Sequence, residues 1–189
     1  KLLESWKTIL SNAELPALVL GQVDDIELHS VVNRLKEQHQ LLVYAECLSQ
    51  CHDHRTALWI DAHEDVVPDV VIHCGGCFVN KQFKQRLRKA THLPVLRLDA
   101  TDGNSSAEAS AAQCPDTFFK QPDWLRTPHP WQVLEELADC LPQNEQVRQI
   151  HTQLPAQTAL SLDCEALFVG NSRAVRVVNR HWPVVNFPI

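Results

Sequence analysis

The run Gly170-Asn171-Ser172-Arg173-Ala174-Val175-Arg176 follows an apolar stretch, Ala166-Leu167-Phe168-Val169, and opens a helical pattern. Glycine permits a sharp turn at a strand end. Asn171 or Ser172 can cap the new helix by accepting a hydrogen bond from its free N–H groups. Arg173 and Arg176 then stand in or near the first turn, where the helix dipole disfavours each cation by about 0.3–1 kcal/mol. Three residues apart, they also repel one another on the helix surface. An anion lying between the helix N-terminus and these side chains relieves both problems. The competing reading is a solvated basic face in which Ser172 only caps.

A second stretch has the same character. Asp69-Val70-Val71-Ile72-His73 leads through Cys74-Gly75-Gly76-Cys77 to Phe78-Val79-Asn80-Lys81-Gln82. The paired glycines let a ligand or a neighbouring chain segment approach the backbone. Asn80 can cap the next helix, which places Lys81 in its first turn, a cation at the unfavourable pole. Lys84, Arg86, Arg88 and Lys89 lie toward the other end and obey the dipole. Here the competing reading is a surface lysine beside a capping asparagine.

The cysteines open two further possibilities. Cys74 and Cys77 form a Cys-x-x-Cys at a strand-to-helix junction, where a thioredoxin-like redox site lowers a thiol pKa. Cys47, Cys51, Cys74 and Cys77, with His52 and His54 in reserve, resemble a loose structural zinc pattern. That pattern requires the strands before Cys47 and Cys74 to be neighbours. The plainest reading of all seven thiols is small, partly buried apolar groups. The histidines form no His-Glu-x-x-His signature. Asp24-Asp25, Glu64-Asp65 and Glu135-Glu136 are adjacent in sequence and read as solvated. Trp124, Trp131 and Trp182 read as anchors of loops and helices to the core.

These residues need a frame, and the apolar pattern supplies one. Ala17–Leu20, Leu41–Tyr44, Asp69–His73 and Val95–Leu98 are short continuous apolar runs, the signature of strands buried on both faces. Ala57–Ile60 reads as another. Helical patterns run from about Asp25 to His39 and up to about Ala90. Residues 101–130, rich in Ser, Ala, Asp and Pro, read as surface loop around a short strand, Thr117–Phe119. Trp131 to about Gln153 reads as one or two helices interrupted near Pro142. Strand Ala166–Val169 and the helix from Ser172 close the unit. The alternation predicts an α/β fold: a doubly wound, mostly parallel sheet of about six strands with helices on both faces. Ligands of such sheets bind beyond the carboxyl ends of the strands.

Composition bounds the rest. The 189 residues suffice for one α/β domain, and 44% hydrophobic with 21% charged residues is ordinary for a globular chain. A net charge of −6 argues against general nucleic-acid binding. No apolar run approaches a membrane span, and Lys1–Lys7 contain no signal-peptide core. An odd number of unevenly spaced cysteines fits reduced thiols in a cytoplasm better than a disulfide framework. The absence of Met and the strand-like tail Val184–Ile189 lead to the expectation of a longer polypeptide.

The order of motifs resembles the central domain of the MenD family, the thiamine-diphosphate-dependent 2-succinyl-5-enolpyruvyl-6-hydroxy-3-cyclohexene-1-carboxylate synthases of menaquinone biosynthesis. The pieces that carry the resemblance are Leu20-Gly21-Gln22, Tyr44-Ala45-Glu46-Cys47-Leu48-Ser49, Pro68 to Lys81, and Leu167 to Arg176. The resemblance implies a Rossmann-like central domain over residues 1–182, with 183–189 beginning the connection to a C-terminal cofactor-binding domain absent from the chain. It implies a transferase that decarboxylates 2-oxoglutarate on thiamine diphosphate and adds the product carbanion to isochorismate. Ser172 and Arg176 would hold a substrate carboxylate, and Lys81 would face the isochorismate side. Gln82 stands where the family usually has arginine, and Asn80 where serine is common; a glutamine can still donate a hydrogen bond, without charge. Thiamine diphosphate and Mg2+ (or Mn2+) belong to flanking N- and C-terminal domains of the full-length enzyme. The resemblance therefore implies no catalytic, cofactor or metal residue within this segment, and none of its activity in isolation. The full-length protein would be a cytoplasmic homo-oligomer.

Overall fold

The computed structural model describes residues 1–23, 26–49, 51, 53–76, 79–90, 92–100, 122–156, 174 and 177–178. The apolar runs become β1 (Pro16–Leu20), β2 (Leu42–Ala45), β3 (Val70–Cys74) and β4 (Val95–Ala100), joined by a fifth strand, β5 (Asp123–Thr127). Between and after them lie α1 (Leu2–Ser11), α2 (Ile26–Glu37), α3 (His54–Ala62), α4 (Lys81–Lys89), α5 (Pro130–Asp139) and α6 (Glu145–Gln153). The strands pair in the order β2-β1-β3-β4-β5, and every pair is parallel. The fold is the expected α/β class, with five strands among the described residues.

Side-chain alternation along each strand divides the core in two. Leu18, Leu20, Val43, Ile72, Leu96 and Leu98 meet α1, α2 and α5 through residues such as Trp6, Val32, Leu35 and Leu134. Val19, Tyr44, Val71 and Val95 meet α3, α4 and α6 through Ile60, Phe83, Leu87 and Val147. Helices thus cover both faces, which is why β1, β2 and β3 are buried along their whole length. Among the described residues no helix is long and apolar enough to cross a membrane.

Two expectations are corrected. Ala57–Ile60 is not a strand but the middle of α3. Its apolar run is too short for periodicity to separate strand from helix. Asp53 decides it by capping, its side chain accepting from the Arg55 N–H, and Thr56, Ala57 and Ile60 share one buried helical face. Conversely, residues 123–127 are a strand and not loop. β5 has only exposed and half-buried positions, so it lacks an apolar run, and pairing with β4 from Leu96↔Asp123 to Ala100↔Thr127 defines it. The Trp6 indole of α1 fastens its start by donating to Asp123 Oδ2 at 2.8 Å. The break near Pro142 falls where expected, between α5 and α6. The strands expected at Thr117–Phe119 and Ala166–Val169 lie outside the described residues. Ala174, Val177 and Val178 are helical.

Candidate functional site

The strand order reverses at β1, which has β2 on one side and β3 on the other. In open α/β sheets the crevice beyond the carboxyl ends of such strands is where ligands bind. The turns here are tied to each other. Gly21 N–H donates to Cys74 O at 3.1 Å, and Gly76 N–H donates to Gln22 O at 2.9 Å. Gly75 has φ +79°, and a Cβ there would lie 2.2 Å from Val23 Cγ2 and 2.6 Å from Gln22 O. The glycines therefore admit a neighbouring chain segment, residues 22–23, against the turn.

A buried polar cluster braces the same turn. His73, Arg97 and Asp99 are all buried, on the face shared with α4. Arg97 donates through Nε to Asp99 Oδ2 at 2.7 Å, through Nη2 to Gly75 O at 3.1 Å, and through Nη1 toward His73 Nδ1 at 3.1 Å. A guanidinium only donates, so Nδ1 of His73 accepts and its proton sits on Nε2, which faces Gly76 O at 3.1 Å. Burial and the Arg97 charge push the His73 pKa down to about 3, so the ring is neutral. Trp124 pairs with Arg97 in register, and the Arg97 and Arg126 guanidinium groups stand 5.5 and 4.6 Å from its ring centroid. Among the described residues Asp99 Oδ1 and Trp124 Nε1 have no hydrogen-bond partner.

The N-terminal pole of α4 carries a carboxylate from the chain itself. Glu46, immediately after β2 and 1% exposed, accepts from the Val79 and Asn80 N–H groups, the latter at 2.9 Å. Asn80 caps α4 as expected: its Oδ1 accepts from Phe83 N–H at 3.1 Å, and its Nδ2 donates to Asp61 Oδ1 at 3.1 Å. Lys81 is exposed at the first helical position. Gln82, also exposed, lines a different cleft with Glu64, Val67, Gln85 and Lys89. The two side chains thus diverge around the helix. At the far end Arg86 donates to Ile60 O and His63 O at 2.7 and 2.8 Å, satisfying carbonyls at the end of α3. Ser172 and Arg176 lie outside the described residues.

No family model and no curated protein matches this chain. Among solved structures it is similar in fold to one described as a "putative thiamin diphosphate-dependent enzyme isolated from Mycobacterium smegmatis". The TM-score is 0.46 at 17% identity, over 76% of this chain. The chain spans 28% of that neighbour's length.

The described residues do not fit a diphosphate. The Gly76 N–H is bonded to Gln22 O, the Gly75 and Gly76 carbonyls face Arg97 and His73, and Glu46 sits at the amides before α4. A phosphate needs free N–H groups and no competing carboxylate at such a turn. Among the described residues no group of three or more His, Cys, Asp or Glu is placed to hold a metal ion. The strands before Cys47 and Cys74 are not the neighbours that the zinc pattern is expected to need, since β1 lies between β2 and β3, and His52 lies outside the described residues. Cys74 points into the apolar core, and burial pushes its thiol up to about 12, the reverse of an activated redox cysteine. Cys77 lies outside the described residues.

Sequence reading missed Glu46, His73, Arg97 and Asp99 as a site. The available signal was polar residues embedded in apolar strands, with Arg97 and Asp99 two apart and therefore on one face.

Proposed function

We propose that this chain is the central domain of a MenD-type synthase and that it supplies carboxylate-binding side chains to a site completed by other domains. The observation that carries this reading is that three stretches far apart in sequence are joined at one sheet edge. Gly21-Gln22 bonds to Cys74 and Gly76, Glu46 bonds to Val79 and Asn80, and Glu46 N–H donates to Leu20 O at 3.2 Å. These are three of the four stretches on which the resemblance rests, the fourth, Leu167 to Arg176, lying outside the described residues except for Ala174, and their shared edge lies where ligands of such sheets bind. Lys81, with Gln82 and Asn80 beside it, faces isochorismate in this reading. Ser172 and Arg176 hold a carboxylate of the 2-oxoglutarate-derived group through charge-assisted hydrogen bonds. Thiamine diphosphate and Mg2+ (or Mn2+) are held by flanking domains, where the cofactor supplies the electron sink for decarboxylation. The 189-residue segment alone binds no cofactor and is inactive. The full-length protein is a cytoplasmic homo-oligomer.

The test is kinetic, in the native polypeptide that carries this chain. Lys81→Ala is expected to raise KM for isochorismate while leaving KM for 2-oxoglutarate unchanged. Arg176→Ala is expected to raise KM for 2-oxoglutarate, lower kcat, or both. A domain that only separates its neighbours gives unchanged kinetics in both variants, and that result would sink the proposal.

A further inference from the structure

Glu46 is held from every side. Its own N–H donates to Leu20 O at 3.2 Å, and its carbonyl accepts from Ser49 N–H and Ser49 Oγ at 2.9 and 2.6 Å. The main chain at the end of β2 is thus fixed to β1 and to the turn that follows. A buried carboxylate is costly unless donors surround it. Here Oε2 accepts from Val79 N–H, while Oε1 accepts from Asn80 N–H at 2.9 Å and faces the Tyr44 hydroxyl at 3.3 Å. The two amides lie more than thirty residues further along, between the glycine turn and α4. The side chain of Asn80 is fixed in turn to Asp61 and Phe83 N–H. Lys81 is the next residue.

We propose that Glu46 is a positioning residue: it clamps the 79–80 backbone to the end of β2 and so sets the direction in which Lys81 meets an anionic substrate group. The structural half of this inference stands alone. Its kinetic half rests on the function proposed above. The groups facing the carboxylate are Tyr44 from β2, Lys84 from α4 and the two amides, with Asp61 of α3 reached through Asn80. Burial pushes the carboxyl up to about 7 against the pull of these donors and of Lys84. A protonated oxygen becomes a donor and loses its hold on an amide, so the clamp loosens as pH falls through neutrality.

Amide resonances of Val79 and Asn80 in isotope-labelled protein, followed between about pH 5 and pH 9, read the clamp directly. They are expected to shift together with one inflection near neutrality, and Glu46→Gln is expected to abolish it. Glutamine has a single acceptor oxygen and a donor nitrogen, so it cannot serve both amides. In the native polypeptide Glu46→Gln is expected to raise KM for isochorismate roughly tenfold, with KM for 2-oxoglutarate unchanged. Adding it to Lys81→Ala should produce no further rise. Val79 and Asn80 amides that keep their resonance positions in folded Glu46→Gln overturn the clamp, and amides that stay flat in the unsubstituted protein overturn its loosening with pH, whether or not the variant folds. Titrating amides with an unchanged KM in Glu46→Gln, where Lys81→Ala raises it, overturn the positioning role and leave the function reading standing. A Lys81→Ala variant without effect overturns that reading and the kinetic half together, while the titration still decides the structural half.

Discussion

Single side chains at this sheet edge are committed by chemistry rather than by type. Asn80 illustrates the point: both ends of its amide are bonded, one capping α4 and the other holding Asp61. Serine at that position could serve as the cap but could not span both contacts, because its one hydroxyl is shorter. Cys74 illustrates it differently. A Cys-x-x-Cys at a strand end suggests a reactive thiolate, yet the side chain turns to the apolar face with Leu20 and Leu98. Cys140 is exposed, whereas Cys47, Cys51 and Cys74 are buried. Alkylation of the native protein near neutral pH, mapped by peptide mass, should therefore modify Cys140 well before Cys74, and Cys74 only on unfolding. Rapid modification of Cys74 would revive the redox alternative.

Elements depend on one another through their turns. The loop after β1 and the turn after β3 share backbone hydrogen bonds, and Gly75 lets them touch. Gly75→Ala should destabilise the protein by more than about 1 kcal/mol, because alanine resists φ +79° and its Cβ has no room. A simple side-chain clash with Val23 would be cured by adding Val23→Ala. That rescue is expected to fail, since the Gln22 carbonyl still stands 2.6 Å from the new Cβ. Urea midpoints of the single and double variants decide it; full recovery in the double variant would show that the backbone approach is unimportant. β5 shows the same dependence from the other direction, since β4 and α1 hold a segment whose own pattern is not that of a strand.

The molecule as a whole carries opposing titrations. Burial and Arg97 lower His73 from 6.5 to about 3, and burial and neighbouring His39 lower His151 to about 4. The unfolded chain binds these protons first, so the contribution of both rings is complete above pH 6.5 and is lost as pH falls toward 4 and 3. Glu46 acts oppositely: raised from 4.5 to about 7, its contribution is complete below pH 4.5 and is lost as pH rises through 7. Two groups outweigh one on the acid side, so stability should climb from about pH 4 to a maximum between about pH 6 and 7, then decline. Urea midpoints across that range test it. His151→Gln should flatten the acid limb and Glu46→Gln the decline above the maximum; a level profile in the unsubstituted protein would contradict the assignment.

Continuous apolar runs named β1, β2, β3 and β4 and their parallel, two-sided burial from sequence alone, because only such a sheet hides both faces of a strand. The Asn80 cap and the exposed Lys81 were legible for a similar reason, as capping depends on residues three apart. The strand at 123–127 and the helix at 54–62 were not, since one takes its form from a neighbouring strand and the other from a cap and one buried face. The site was legible only as separate motifs. That Glu46 answers the α4 pole, that Arg97 and His73 hold the glycine turn, and that Gln82 opens away from Lys81 are facts of three dimensions. Electrostatic partners distant in sequence meet only when the sheet brings its carboxyl ends together, and no local rule records that meeting.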